Sequence, residues 1–159
     1  MIVRRVDWQP RLAAFLDEAR GRAFDWNGWD CCHFVGDAVL AMSDTDPLAD
    51  YRGDYETEAG AWAALDARDG NLRAACKRVF GAMRPAAFAR RGDAVMLAGN
   101  LSIGICMGGQ AVFASPDGEG LTLVPMSDCR WCFPIGWPES ASEAASDAAG
   151  DAAGEAHDG

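Results

Sequence analysis

Phe24-Asp25-Trp26-Asn27-Gly28-Trp29-Asp30-Cys31-Cys32-His33-Phe34-Val35 is the stretch where a loop of aromatics, broken by turn residues, gives way to a helix. Asp30 is of N-cap type, and Phe34, Val35, Ala38, Val39 and Met42 recur at helical spacing on one side. The pattern predicts a helix from Asp30 to about Met42. A cysteine one step inside such a helix faces unpaired backbone N–H groups and the positive end of the helix dipole. Both favour the thiolate, the nucleophilic form, and make Cys31 a candidate nucleophile. The same position also suits a second role, in which Cys31 and Cys32 are small apolar groups packing a helix start.

Outward from this stretch the chain divides into a helical half and a strand half. Trp8 to Arg20 reads as a helix with Leu12, Phe15, Leu16 and Ala19 on one face, stopped by Gly21. Ser43 to Gly53 is polar and turn-rich. Thr57 and Asn71 are placed to cap two further helices, one through Leu65 and one through Phe80, the latter ended by Gly81. After Pro85 come short strand-like runs at 93–97, 102–107, 111–113 and 121–124, separated by Gly-rich turns. Helices followed by an antiparallel sheet define an α+β class.

The domain is expected to end near Pro138. Residues 139–159 repeat a four-residue acidic Ala/Gly/Ser unit with no large apolar side chain, so this tail is expected not to fold and to act as a solubilising appendage or an acidic docking peptide. The formal charge is −10; the tail holds six acidic residues and no Lys or Arg, which leaves about −4 on the rest. That balance argues against a nucleic-acid partner, which needs a basic face. No apolar run reaches the length of a membrane span, and the arginines at 4 and 5 precede no apolar stretch, so neither a transmembrane segment nor a signal peptide is expected. Synthesis in the cytoplasm, with reduced thiols, follows.

Other chemistry-bearing residues have simpler readings. Cys129-Arg130-Trp131-Cys132 is a single C-x-x-C, which suits free thiols, half of a metal site or a disulfide. Cys31, Cys32 and His33 could complete a metal set only awkwardly, because adjacent helical residues point about 100° apart. No metal or other cofactor is expected. Asp30, Asp93 and Glu119 suit cap and turn duty. His33 lies two residues after Cys31 on the same helix, so the two side chains diverge by about 200° and it reads as a surface or partly buried helix residue. The other histidine, His157, is in the tail.

As an ordered set, four motifs resemble the NlpC-type cell-wall peptidases. Phe24-Asp25-Trp26-Asn27-Gly28 stands for the family's Tyr-x-Trp-Gly-Gly loop, and Asp30-Cys31-Cys32-His33-Phe34-Val35 for its Asp-Cys-Ser-Gly-Phe/Leu-Val. Arg91-Gly92-Asp93-Ala94-Val95 is similar to Pro-Gly-Asp-Leu-Val, and Ser102-Ile103-Gly104-Ile105-Cys106-Met107-Gly108 to His-Val-Gly-Ile-Tyr-Leu-Gly. The resemblance implies a papain-like α+β fold, with N-terminal helices packed on a small antiparallel sheet. Over residues 8–137 the chain also resembles a family of small proteins of tailed phages and prophages. That second likeness implies phage tail-tip or baseplate proteins as partners and the virion as destination, with peptidoglycan peptides as a further candidate ligand.

The departures from the resemblance bear on activity. Ser102 occupies the position of the family's His base, Phe113 that of the residue orienting the base, and Phe24 that of the Tyr whose hydroxyl lies near the oxyanion. Removing a general base typically costs about 10²–10⁴-fold in rate. The chain therefore reads as a degenerate cysteine-hydrolase scaffold that works by binding, with an active peptidase or amidase using Cys31, or an unrelated bacterial binding domain, as alternatives. Trp26, Trp29 and Asp30 are the expected binding residues, the two tryptophans closing over the helix start and covering Cys31.

Overall fold

The computed structural model describes residues 2–117 and 120–136. The expected tail at 139–159 and Glu119 lie outside the described residues. Four helices come first: α1 (Trp8–Ala19), α2 (Cys31–Ser43), α3 (Glu58–Arg68) and α4 (Leu72–Phe80). The caps at the second, third and fourth are those expected. Asp30, Thr57 and Asn71 each accept a hydrogen bond from a backbone N–H three residues on. Each such cap contributes about 1 kcal/mol.

Six strands follow: β1 (Arg84–Pro85), β2 (Ala94–Leu97), β3 (Ile103–Cys106), β4 (Gln110–Ala114), β5 (Leu121–Pro125) and β6 (Cys129–Phe133). They form one antiparallel sheet in the order β1-β6-β2-β3-β4-β5. The fold is therefore α+β, as expected. Two of the strands, β1 and β6, were not. The run Cys129–Phe133 reads in the sequence as a C-x-x-C and an aromatic end, yet it inserts between β1 and β2.

Strand alternation gives the sheet two apolar faces. Ala94, Met96, Ile103, Ile105, Val112, Ala114, Trp131 and Phe133 join the large core built on Phe34, Val35, Ala38, Val39 and Met42 of α2 and Leu12 and Leu16 of α1. Val95, Cys106, Ala111, Phe113, Cys129 and Cys132 form a smaller cluster with Ala86. Between β3 and β4 the approach is so close that a Cβ at Gly104 would sit 2.4 Å from the Val112 carbonyl oxygen and 2.8 Å from the Phe113 ring. Only glycine fits there.

Asp93 does more than shape a turn. It is fully buried and ion-paired to Arg4, whose Nη2 lies 2.9 Å from Oδ1. The same Oδ1 accepts from the Ile135 N–H at 3.1 Å, and Oδ2 accepts from the Arg90 N–H at 2.9 Å. Arg4 also donates to the Ile135 and Arg91 carbonyls, at 2.5 and 2.8 Å, and its guanidinium lies 4.2 Å from the Trp8 ring centre. One buried pair thus joins the chain's start, the Arg91-Gly92-Asp93 turn and the segment after β6. No described helix is long and apolar enough to cross a membrane.

Candidate functional site

Cys31 is the first residue of α2, and its half-buried thiol meets the start of β3. It is held below the ordinary thiol range, first by a hydrogen bond from the Cys32 side chain, then by the Ile103 N–H and the Ser102 hydroxyl, against the opposing effects of burial and the Asp30 charge. These donors act on the charged form, which is why they lower the value. The same contact works in reverse on Cys32: its thiol is pushed well up by the Cys31 sulfur and by burial. Cys76, on α4, is pushed up by burial and by Cys31. Of these three thiols, Cys31 is the one poised to ionise.

Cys31 and Ser102, paired by the sequence reading, are therefore brought together. Phe113 belongs instead to the smaller cluster, where its ring covers Gly104. Phe24 is half-buried and packs edge-on against Trp26, with ring centres 5.0 Å apart. The loop closes on itself: Asp25 and Trp29 exchange backbone hydrogen bonds of 3.0 and 2.7 Å, and the Asp25 carboxylate takes the Asn27 N–H at 2.9 Å. Gly28, at φ +123°, supplies the backbone angle this turn needs.

The turn sends the two tryptophans to different fates. Trp26 stays half-buried in the loop. Trp29 is a core residue, 2% exposed, packed on Phe15 and Phe34 with the Arg22 guanidinium 4.0 Å from its ring centre. It offers no face to a ligand. Asp30 is equally committed, since both carboxylate oxygens have internal partners.

Those partners were not foreseen. Asp30 Oδ1 accepts the His33 N–H at 2.8 Å and lies 2.8 Å from His33 Nδ1, a contact that puts the ring proton on Nδ1. Oδ2 accepts the Tyr55 hydroxyl at 2.5 Å. His33 is thus buried, at 4% exposure, rather than on or near the surface. The acid that caps the helix also draws the imidazole inward. His33, the sole histidine among the described residues, is bound to Asp30 and lies 3.4 Å from the Tyr55 hydroxyl. Burial, then the neighbouring Cys32 and Asp30 charges, keeps the Tyr55 phenol protonated.

Two hollows open nearby in the fold, one of them at the site. Beneath Cys32 an apolar cavity of about 40 Å³ lies among Leu48, Tyr51, Leu65, Cys76 and Ile103. A groove of about 440 Å³ runs between the α3–α4 turn and the β2–β3 turn, lined by Trp62, Asp66, Asn71, Arg73 and Leu101, and neither Cys31 nor Ser102 lines it. The second is within the size range of ligand clefts.

Cys129 and Cys132 sit on β6 in the smaller cluster with Cys106. The sheet stands between them and the large core that Cys31 and Cys32 pack against, so the two cysteine sets do not converge. All six cysteines are free thiols. Burial raises Cys129 to about 11 and Cys132 to about 12. Among the described residues no group of three or more His, Cys, Asp or Glu could hold a metal ion.

Fold and site together define an α+β protein with a thiol at a helix N-terminus set against an antiparallel sheet. The chain belongs to the family described as Domain of unknown function (DUF6950), whose model matches residues 3–135. No curated protein matched the chain.

Proposed function

We propose that this chain is a papain-like scaffold of the NlpC type that has lost its catalytic base and works by binding, as a component of a phage tail tip or baseplate. The observation that carries the first half is the contact of Cys31 with Ser102. The thiol, at the start of α2, has Ser102 beside it just before β3, where a hydrolase of this type needs an imidazole, and the Ser102 hydroxyl is among the groups that lower its pKa. Serine can donate to a thiolate but cannot take its proton at neutral pH. His33 does not substitute, because it is bound to Asp30 on the helix's other side. The groove between the α3–α4 and β2–β3 turns, with Trp62, Asn71, Arg73 and Leu101, offers a surface on which an extended segment of a partner protein or a murein peptide would lie.

The tail-tip role rests on the resemblance of residues 8–137 to small proteins of tailed phages. Purified particles of the source phage or prophage, digested and read by mass spectrometry, should contain peptides of this chain. Their absence from particles that infect normally would overturn the virion role and leave the scaffold reading to stand by itself.

A further inference from the structure

The sheet ends in two unlike edges. On one side β1 is two residues long, Arg84-Pro85, and so is closed to further pairing by its length, its charge and its proline. On the other side β5, Leu121-Thr122-Leu123-Val124-Pro125, carries no charge and keeps four N–H groups. Natural sheets protect such an edge or use it.

The backbone phase of β5 is set by its pairing with β4. Ser115 N–H donates to the Gly120 carbonyl and Met126 N–H to the Gly109 carbonyl, and the register pairs Phe113 with Thr122 and Ala111 with Val124. In an antiparallel ladder bonded pairs alternate, so Thr122 and Val124 bond inward to β4. Leu121, Leu123 and Pro125 then direct their backbone groups away from the sheet. The Leu123 side chain is 60% exposed.

This edge is complementary to itself. Two copies of β5 laid antiparallel about a two-fold axis at Leu123 set Leu123 opposite Leu123 and Leu121 opposite Pro125. The Leu123 pair exchanges two hydrogen bonds, and each Leu121 N–H reaches a Pro125 carbonyl, which makes four in all. Pro125 has no N–H, so its lack of a donor leaves no buried group orphaned. On the other face each Thr122 falls directly opposite a Val124, a β-branched pair of the kind that stabilises sheets. The exposed Leu123 side chains meet across the axis.

We propose that β5 is the docking edge for a second copy of this chain, joining two six-stranded sheets into one continuous antiparallel sheet. The inference is independent of the hydrolase-scaffold reading. A five-residue ladder buries far less than the ~1,000 Å² of a stable interface, so the association is weak and concentration-dependent.

Sedimentation of the full chain from micromolar to millimolar concentration, with amide exchange followed residue by residue, tests it. The weight-average mass should rise toward twofold. Over the same range exchange at Leu121 and Leu123 should slow by about tenfold or more, while Thr122 and Val124 stay protected throughout. Leu123→Lys, which puts like charges face to face on the axis, should remain a monomer with Leu121 fast and Thr122 still protected, the latter showing that β5 is folded. A chain that stays monomeric with fast Leu121 and Leu123 would overturn the proposal, as would a dimer that survives Leu123→Lys. Protection of Leu121 and Leu123 that does not depend on concentration would assign the edge to the chain's own C-terminal segment or another intramolecular cover, and overturn it equally.

Discussion

Ser102 and Cys31 meet because a helix start and a strand start converge, and the chemistry of the thiol depends on which side chain the strand presents there. With serine, Ser102 joins Cys32 and the Ile103 N–H in lowering the thiol's pKa and brings no titrating group of its own. Replacing it by an imidazole adds a titrating neighbour whose charged form pairs with the thiolate. Ser102→His should therefore shift the pH dependence of iodoacetamide alkylation at Cys31 to lower pH, while Ser102→Ala, which removes one donor, should shift it upward. An alkylation profile unmoved by both changes would show that residue 102 does not face the thiol. Cys31, Asp30 and Ser102 were legible in the sequence because helix capping and the ordered motifs are local signals. Tyr55 was not. It reaches Asp30 from a turn 25 positions away, and no periodicity marks a residue in that turn.

The elements legible beforehand are those that carry their own punctuation: α2, α3 and α4 with their capping side chains, and β2 to β5 with glycine turns between them. β6 escaped because its sequence, Cys-Arg-Trp-Cys-Phe, packs on both faces and so lacks the alternation of a half-exposed strand. Its position between β1 and β2 is a long-range fact that only tertiary pairing supplies. What fixes that closing strand is the buried Arg4–Asp93 pair, with side chains 5% and 1% exposed and bonds to the segment after β6. Removing one partner leaves the other charge buried, which typically costs about 3–5 kcal/mol. Asp93→Ala should lose stability on that scale in urea unfolding, whereas Asp7→Ala, which removes an exposed ion-pair partner of Arg11, should lose far less. Equal losses in the two variants would show that the pair does not clamp the chain's ends.

For the molecule as a whole, the thiols of the smaller cluster predict a response to alkali. Burial holds Cys129 at about 11 and Cys132 at about 12, whereas unfolded thiols ionise near ~8.5. A folded pKa above the unfolded one gives stability that is complete below pH ~8.5 and is lost as pH rises toward the folded values, by up to about 1.4 kcal/mol per pH unit for each thiol. Stability should fall between pH ~8.5 and ~11, and Cys132→Ala should fall less steeply over that window. Equal slopes would mean that Cys132 ionises in the folded state. The proposal that the Cys31 thiol works without a base is tested most directly by hydrolysis itself. Purified protein incubated with murein peptides, alongside Cys31→Ala, should release no product from either. Cleavage by the wild type that disappears in Cys31→Ala would contradict the account and make the chain an active cysteine peptidase.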